Sequence, residues 1–248
     1  MSLLEVNQVS FDYTRERRTL SDLSFTLQRG ASLGLVGESG SGKTTLLRLL
    51  LGLIRPSAGT IRFDGETLDV RNAAFMRNYR RRVQAVFQDP YSSLDPRQPI
   101  SRIVSEPLRA LRIDGDHQAL VREALTSTGL EADIVHRYPH QFSGGQRQRI
   151  AIARAIVAKP TLLLADEAVS ALDLSTRVRI VELFKRLAAD MTLVFISHDL
   201  GVVAALCDEL VILQQGRIVE AGPTRRILSN PQHAYTISLL ASVPRMPA

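Results

Sequence analysis

The chain has 248 residues, 45% of them hydrophobic and 23% charged, a composition that supports a packed core and excludes a disordered polymer. That length allows one large domain, or a core carrying a smaller insertion. The formal charge is +6 and almost all of the basic residues are arginine, since Lys43, Lys159 and Lys185 are the only lysines. Nucleic acid, an anionic membrane surface and a phosphate-bearing ligand would each suit that balance. The lone cysteine, Cys207, excludes an internal disulfide framework and any cysteine-only metal cluster within the chain. The opening MSLLEVNQVSFDYTRERR turns charged too soon for a secretory signal. The most apolar run, LLRLLLGLI at 46–54, carries Arg48 and is far shorter than the about 18 residues of a membrane span. A soluble chain that meets a membrane only through a partner is expected.

In chain order, aliphatic and β-branched runs predict strands over 3–9, 32–36, 60–63, 83–87, 161–165, 192–196, 209–213 and 217–220. Helical periodicity covers 44–53, 103–111, 117–128, 145–158, 175–189 and 201–207. Strands alternate with helices toward both ends, whereas 97–140 reads mainly helical. The expected architecture is an α/β core interrupted by a helical subdomain, with the core resuming near 160.

Gly37, Glu38, Ser39, Gly40, Ser41, Gly42, Lys43 and Thr44 fit the pattern G-x-x-x-x-G-K-[ST], between an apolar strand and a helix. Glycines there let successive amides curl toward phosphate oxygens, and the helix N-terminus adds favourable potential. Lys43 is placed to reach the terminal phosphates, and the Thr44 hydroxyl to ligate Mg²⁺. Downstream, the apolar strand at 161–165 runs straight into Asp166 and Glu167. Acids at the carboxyl end of a parallel strand face the ligand crevice, so Asp166 is a candidate Mg²⁺ ligand and Glu167 a candidate base for an attacking water. Asp-Glu turns after buried strands are common in isolation; the loop at 37–44 gives this pair its significance.

The sequence Phe142, Ser143, Gly144, Gly145, Gln146 narrows the family. Ser-Gly-Gly at a helix start offers a hydroxyl and open amides to an anion. It resembles the LSGGQ signature of the ATP-binding cassette (ABC) family, with Phe142 in place of leucine. Other marks of the family fall in order. Tyr13 matches the adenine-stacking aromatic, Gln88 the glutamine loop, the Ser170–Asp173 stretch the D-loop, and His198 the switch histidine. His117, His136, His140 and His233 show no metal-ligand spacing.

The resemblance covers about the whole chain. It implies a P-loop NTPase cassette with a RecA-like core, an antiparallel β subdomain and an inserted helical subdomain. The implied division is a core at 1–96 and 160–222, a helical signature subdomain at 97–159 and a short helical tail at 223–248. It implies ATP and Mg²⁺ as ligands, with residues 37–44 and Thr45 on the nucleotide. Thr44, Gln88 and Asp166 would hold Mg²⁺, and Lys43, Gln88, Glu167 and His198 would serve hydrolysis. In this family two cassettes pack head to tail, so Ser143, Gly144, Gly145 and Gln146 would meet the ATP of a partner cassette, with Asp173 in the D-loop.

Residues 87–97, 105–108 and 230–236 resemble the oligopeptide, dipeptide and nickel importer branch, in its second ATPase subunit. Ala168 and Ala234 stand where that branch often has proline. Longer members carry a cysteine-containing extension that binds an iron–sulfur cluster; with only Cys207, no cluster is expected. The implied function is an ATPase on the cytoplasmic face of the membrane, energising uptake of peptide, nickel or a metal chelate. Its implied partners are a second cassette (a paralogue, or an identical copy), integral permeases and, indirectly, a solute-binding protein, with no nucleic acid. The competing functions are a cassette that docks on a soluble enzyme complex and one that acts in nucleic-acid repair or translation. The basic cluster Arg71, Arg77, Arg80, Arg81 and Arg82 reads chiefly as a solvated helix face.

Overall fold

A computed structural model describes residues 2–14 and 17–242. Residues 243–248 of the expected tail lie outside that description. In chain order the elements are β1 (Ser2–Thr14), β2 (Arg17–Gln28), β3 (Ser32–Val36), α1 (Lys43–Leu50), β4 (Ala58–Phe63), β5 (Glu66–Thr67) and α2 (Ala73–Arg82). There follow β6 (Val83–Val86), α3 (Pro90–Ser93), α4 (Ile100–Val104), α5 (Glu106–Ala110), α6 (His117–Ser127), α7 (Gly144–Ile156), β7 (Leu162–Asp166) and α8 (Leu174–Ala188). The chain closes with β8 (Thr192–Ser197), α9 (Leu200–Leu206), β9 (Glu209–Gln214), β10 (Arg217–Pro223), α10 (Thr224–Ser229) and α11 (Ala234–Ser242). It divides into two compact units, Met1–Ala73 with Ala188–Ala248, and Ala74–Leu187.

The first unit holds an antiparallel sheet in the order β2-β1-β4-β5. It also holds β3 lying parallel between β8 and β9, with β10 antiparallel to β9. Every residue of β3 and β8 is buried, which is why both read as continuous apolar runs rather than alternating ones. Helix α9 covers β3 and β8, and α10 covers β9 and β10. Leu33, Leu35, Val36, Phe195 and Ile196 are at most 2% exposed, and each such side chain contributes about 1.5–3 kcal/mol through burial.

Strand β2 is absent from the sequence expectation. Its buried residues Leu20, Leu23 and Leu27 do not keep a period of two, because Asp22 sits at φ +53° and the pairing with β1 shifts register there.

In the second unit β6 and β7 run parallel, Val83 opposite Leu162 through Val86 opposite Ala165. Helix α7 is its packing centre, burying Ile150, Ala151, Ile152, Ala153, Ala155 and Ile156, and touching α3, α4, α5 and α6. The single helix expected over 103–111 is two short ones that meet at Ser105. Pro107 has no amide, and its ring would strike the carbonyl one turn back, so α4 stops and α5 starts afresh. The basic run forms the end of α2. Arg77 and Arg80 are exposed there, while Arg81 folds back to donate to the carbonyls of Leu111 (2.8 Å) and Arg112 (2.6 Å).

Candidate functional site

In the first unit, the register of β3 and β8 puts Val36 opposite Ser197. Gly37 and His198 therefore leave the same sheet edge, at the carboxyl ends of neighbouring parallel strands, where α/β sheets receive ligands. Helix α1 begins at Lys43, with Gly42 as its N-cap at φ +109° and no side chain capping it. The first amides of a helix have no intrahelical acceptor, and here Leu46 is the residue that bonds back to Gly42 (2.9 Å). The amides before it, with the helix dipole behind them, form an anion cradle.

Two glycines make the loop possible. A Cβ on Gly37 would sit 2.2 Å from the Leu213 carbonyl oxygen, and one on Gly42 would sit 2.5 Å from Leu20 Cδ2. Ser41 Oγ is buried with no hydrogen-bond partner, an orphaned hydroxyl that an incoming anion would satisfy. Lys43, only 7% exposed, donates from Nζ to the carbonyls of Gly37 (2.6 Å) and Glu38 (2.9 Å). Glu38, Ser39, Gly40 and Thr44 are exposed, and Thr45 is buried. The donor set, with amides, a lysine and a dry hydroxyl, fits a phosphate chain.

Tyr13 on β1 is 52% exposed and stands edge-on to Phe11, with ring centroids 4.8 Å apart. Its oxygen accepts from Arg48 Nη1 of α1 (3.0 Å). A hydrogen bond with the Thr45 side chain, and then the one with Arg48, holds its phenol below the ordinary value. The ring is thus tied to the helix that follows the loop. His198 is exposed, and the next residue, Asp199, caps α9 by accepting from the amides of Gly201 (2.9 Å) and Val202 (3.2 Å).

In the second unit, Gln88 and Glu167 each stand two residues beyond the registered pair Val86 and Ala165. Ser170 joins them. Gln88 Nε2 donates to Ser170 Oγ (3.3 Å), and Ser170 donates from Oγ (3.0 Å) and from its amide (3.1 Å) to the Glu167 carbonyl. Glu167 is held at φ +45°, a conformation that costs a non-glycine residue about 1 kcal/mol or more and collects at functional sites. Ser170 appears in the sequence only as the start of a motif; its bridging contacts depend on the fold.

Asp166 ends β7 half-buried. Its carboxylate and the Gln88 amide oxygen in this unit, like the Thr44 hydroxyl in the other, are hard oxygen donors of the kind Mg²⁺ takes while keeping water and phosphate ligands. Among the described residues no group of three or more His, Cys, Asp or Glu side chains could hold a metal alone. The chemistry fits an ion carried in with phosphate, not a caged one. Cys207 is buried, and burial, then Asp208, pushes its thiol well above the usual range.

The signature also lies in the second unit. Ser143 caps α7, its Oγ accepting from the Gln146 amide (3.3 Å) while Gln146 Oε1 accepts from the Ser143 amide (3.0 Å). Ser143 is exposed, and Phe142 fills a buried position, so it serves where the signature has leucine. A Cβ on Gly145 would come 2.4 Å from Thr176 Cγ2 of α8. Arg147 lies over the Tyr91 ring at 4.2 Å. Asp173 accepts from Ser175 Oγ (2.8 Å) and the Thr176 amide (3.0 Å), and hydrogen bonds led by the Thr176 side chain bring its carboxyl down to about 2. Loop, Tyr13 and His198 thus belong to one unit. Gln88, Asp166, Glu167, Asp173 and the signature belong to the other.

Comparison with known proteins agrees with these features. Residues 20–170 match the model of the ABC transporter family, and residues 219–248 match the oligopeptide/dipeptide transporter C-terminal region. A peptide import ATP-binding protein of Brucella ovis is 45% identical over 98% of this chain and 78% of its own length. A glutathione import ATP-binding protein of Salmonella typhi is 46% identical over 93% of this chain and 38% of its own length. Among solved structures, cbiO1 of Clostridium perfringens, part of the ABC transporter complex cbiONQ, superposes with a TM-score of 0.84 at 26% identity, covering 92% of this chain and 91% of its own. A dimeric ATP-binding cassette in a post-hydrolysis state with ADP and phosphate gives a TM-score of 0.78 at 27% identity, covering 90% of this chain and 99% of its own.

Proposed function

The chain belongs to the ABC transporter family and is one of its ATP-hydrolysing subunits, and from that premise we propose that it powers import of peptides through separate permease subunits. The observation that carries this reading is the loop at 37–44, with its orphaned Ser41 hydroxyl and buried Lys43 at the start of α1. The substrate class is supported by the match over 219–248 and by relatives named for peptide and for glutathione, itself a small peptide. Nickel or a metal chelate is the next candidate.

The residues take the following roles in this proposal. Lys43 and the amides of 37–45 hold the phosphate chain, and Tyr13 stacks on adenine. Thr44, Gln88 and Asp166 would hold Mg²⁺, which would neutralise charge on the outer phosphates. Glu167 orients the attacking water and takes its proton, and His198 steadies the γ-phosphate end. No covalent intermediate is needed, since positioning and charge stabilisation suffice for phosphoryl transfer. Ser143, Gly144, Gly145 and Gln146 close on the ATP of a second cassette, with Asp173 beside it. That cassette is a paralogue or an identical copy.

No helix among the described residues is long and apolar enough to cross a membrane. The names of its relatives as import ATP-binding proteins support the proposed place of the chain: peripheral, on the cytoplasmic face, docked to permeases that meet a solute-binding protein on the other side. Affinity capture of the full chain from detergent-extracted membranes tests this. Integral permeases should copurify; capture of a soluble enzyme complex or of nucleic acid instead would overturn the importer assignment.

A further inference from the structure

Given the ATP-binding role proposed above, on which this assignment rests, we infer that Tyr235 is a positioning residue for the nucleotide loop. Its hydroxyl fixes the peptide plane against which Lys43 rests, and so ties the C-terminal region of the chain to residues 37–44. All of the groups concerned lie in the first unit.

Tyr235 stands in the first turn of α11 and is 9% exposed. The Glu38 amide donates to its oxygen at 2.9 Å. The carbonyl of Gly37 belongs to the same peptide group, and it accepts from Lys43 Nζ at 2.6 Å. A peptide group is planar and rigid. Turning the Glu38 amide away from Tyr235 therefore turns the Gly37 carbonyl away from Lys43. Gly37 has little room to compensate, since a Cβ there would lie 2.2 Å from the Leu213 carbonyl oxygen. One hydroxyl thus sets the orientation of the nearer of the two carbonyls on which the phosphate-binding lysine rests.

Tyr235 is itself anchored. Glu220 of β10 accepts from the amides of Gln232 (3.1 Å) and His233 (3.2 Å) just before α11, and His233 Nδ1 accepts from the Tyr235 amide (3.2 Å). A continuous path of hydrogen bonds runs from β10 through the turn at 232–233 to Tyr235 and on to the Gly37–Glu38 peptide. The stretch of that path from Glu220 to Tyr235 lies within 219–248, the region that matches the oligopeptide/dipeptide C-terminal model and falls outside the cassette match, whereas the peptide it holds lies within the cassette match. Burial raises the Tyr235 phenol above its ordinary value, so it stays neutral at working pH. A loop held in one shape before nucleotide arrives loses less freedom on binding, and that gain appears as affinity.

The test is Tyr235→Phe, which keeps the ring and removes only the acceptor. The Kd and KM for MgATP should rise roughly three- to tenfold, the range expected from one intramolecular hydrogen bond, while kcat stays within about twofold. Ile237→Ala, on the same helix but 52% exposed, should leave both constants at the parental value. A second route is Glu220→Gln, which weakens the anchor at 232–233 without touching Tyr235; it should shift KM in the same direction by less. A Tyr235→Phe variant with parental KM, or one whose loss falls on Tm and kcat with no change in affinity, would overturn the assignment and leave the ATPase reading intact. A parent chain that binds no ATP would remove both.

Discussion

Tyr13 is 52% exposed, whereas an aromatic on a strand more often packs into the core. Its oxygen is held by Arg48 from the helix that follows the nucleotide loop, which is a reason to keep the ring outside. Tyr13→Ala should weaken ATP binding by about 1–3 kcal/mol, the usual contribution of an aromatic stacked on a base. Tyr13→Trp should restore it, and tripolyphosphate, which has no base, should bind both variants like the parent. Equal losses for ATP and tripolyphosphate would place Tyr13 on the phosphates instead. Lys43, Thr44, Asp166 and Glu167 could all be picked out from residue type and spacing, because a strand, a glycine loop and a helix start are local in the chain. The contacts of Ser170 and Tyr235 could not. The amide that Tyr235 holds is 197 residues away, and no local pattern encodes that contact.

Among the elements, α7 and α8 meet where Gly145 passes Thr176. A Cβ at 145 would approach Thr176 Cγ2 to 2.4 Å, so the glycine is needed for packing as well as for any anion contact. Gly145→Ala should lower stability by about 1–3 kcal/mol through overpacking. Adding Thr176→Ser, which removes that methyl group, should recover most of the loss in a thermal melt. If the double variant melts no higher than Gly145→Ala alone, the clash is not the cause. The elements with clean periodicity, β3, β8 and α6, were legible within a residue or two. Those broken by local chemistry were not: Pro107 splits α4 from α5, and the shifted register at Asp22 hides β2.

For the whole molecule, the order of motifs identified the family, while the net charge contributed little. Much of the arginine excess is either exposed, as Arg77 and Arg80 are, or used in internal bonds, as Arg81 is. A fold of this class has uses beyond nucleotide hydrolysis, so the functional claim rests on the site. It turns on the role proposed for Glu167, held at φ +45° after the strand that ends in Asp166, as the residue that activates the water attacking ATP. The most direct test is phosphate release by the membrane-captured complex carrying Glu167→Gln in this chain. Turnover assigned to this subunit should fall at least about 100-fold, as expected for loss of a general base, while ATP stays bound. Phosphate release at the parental rate would contradict the account.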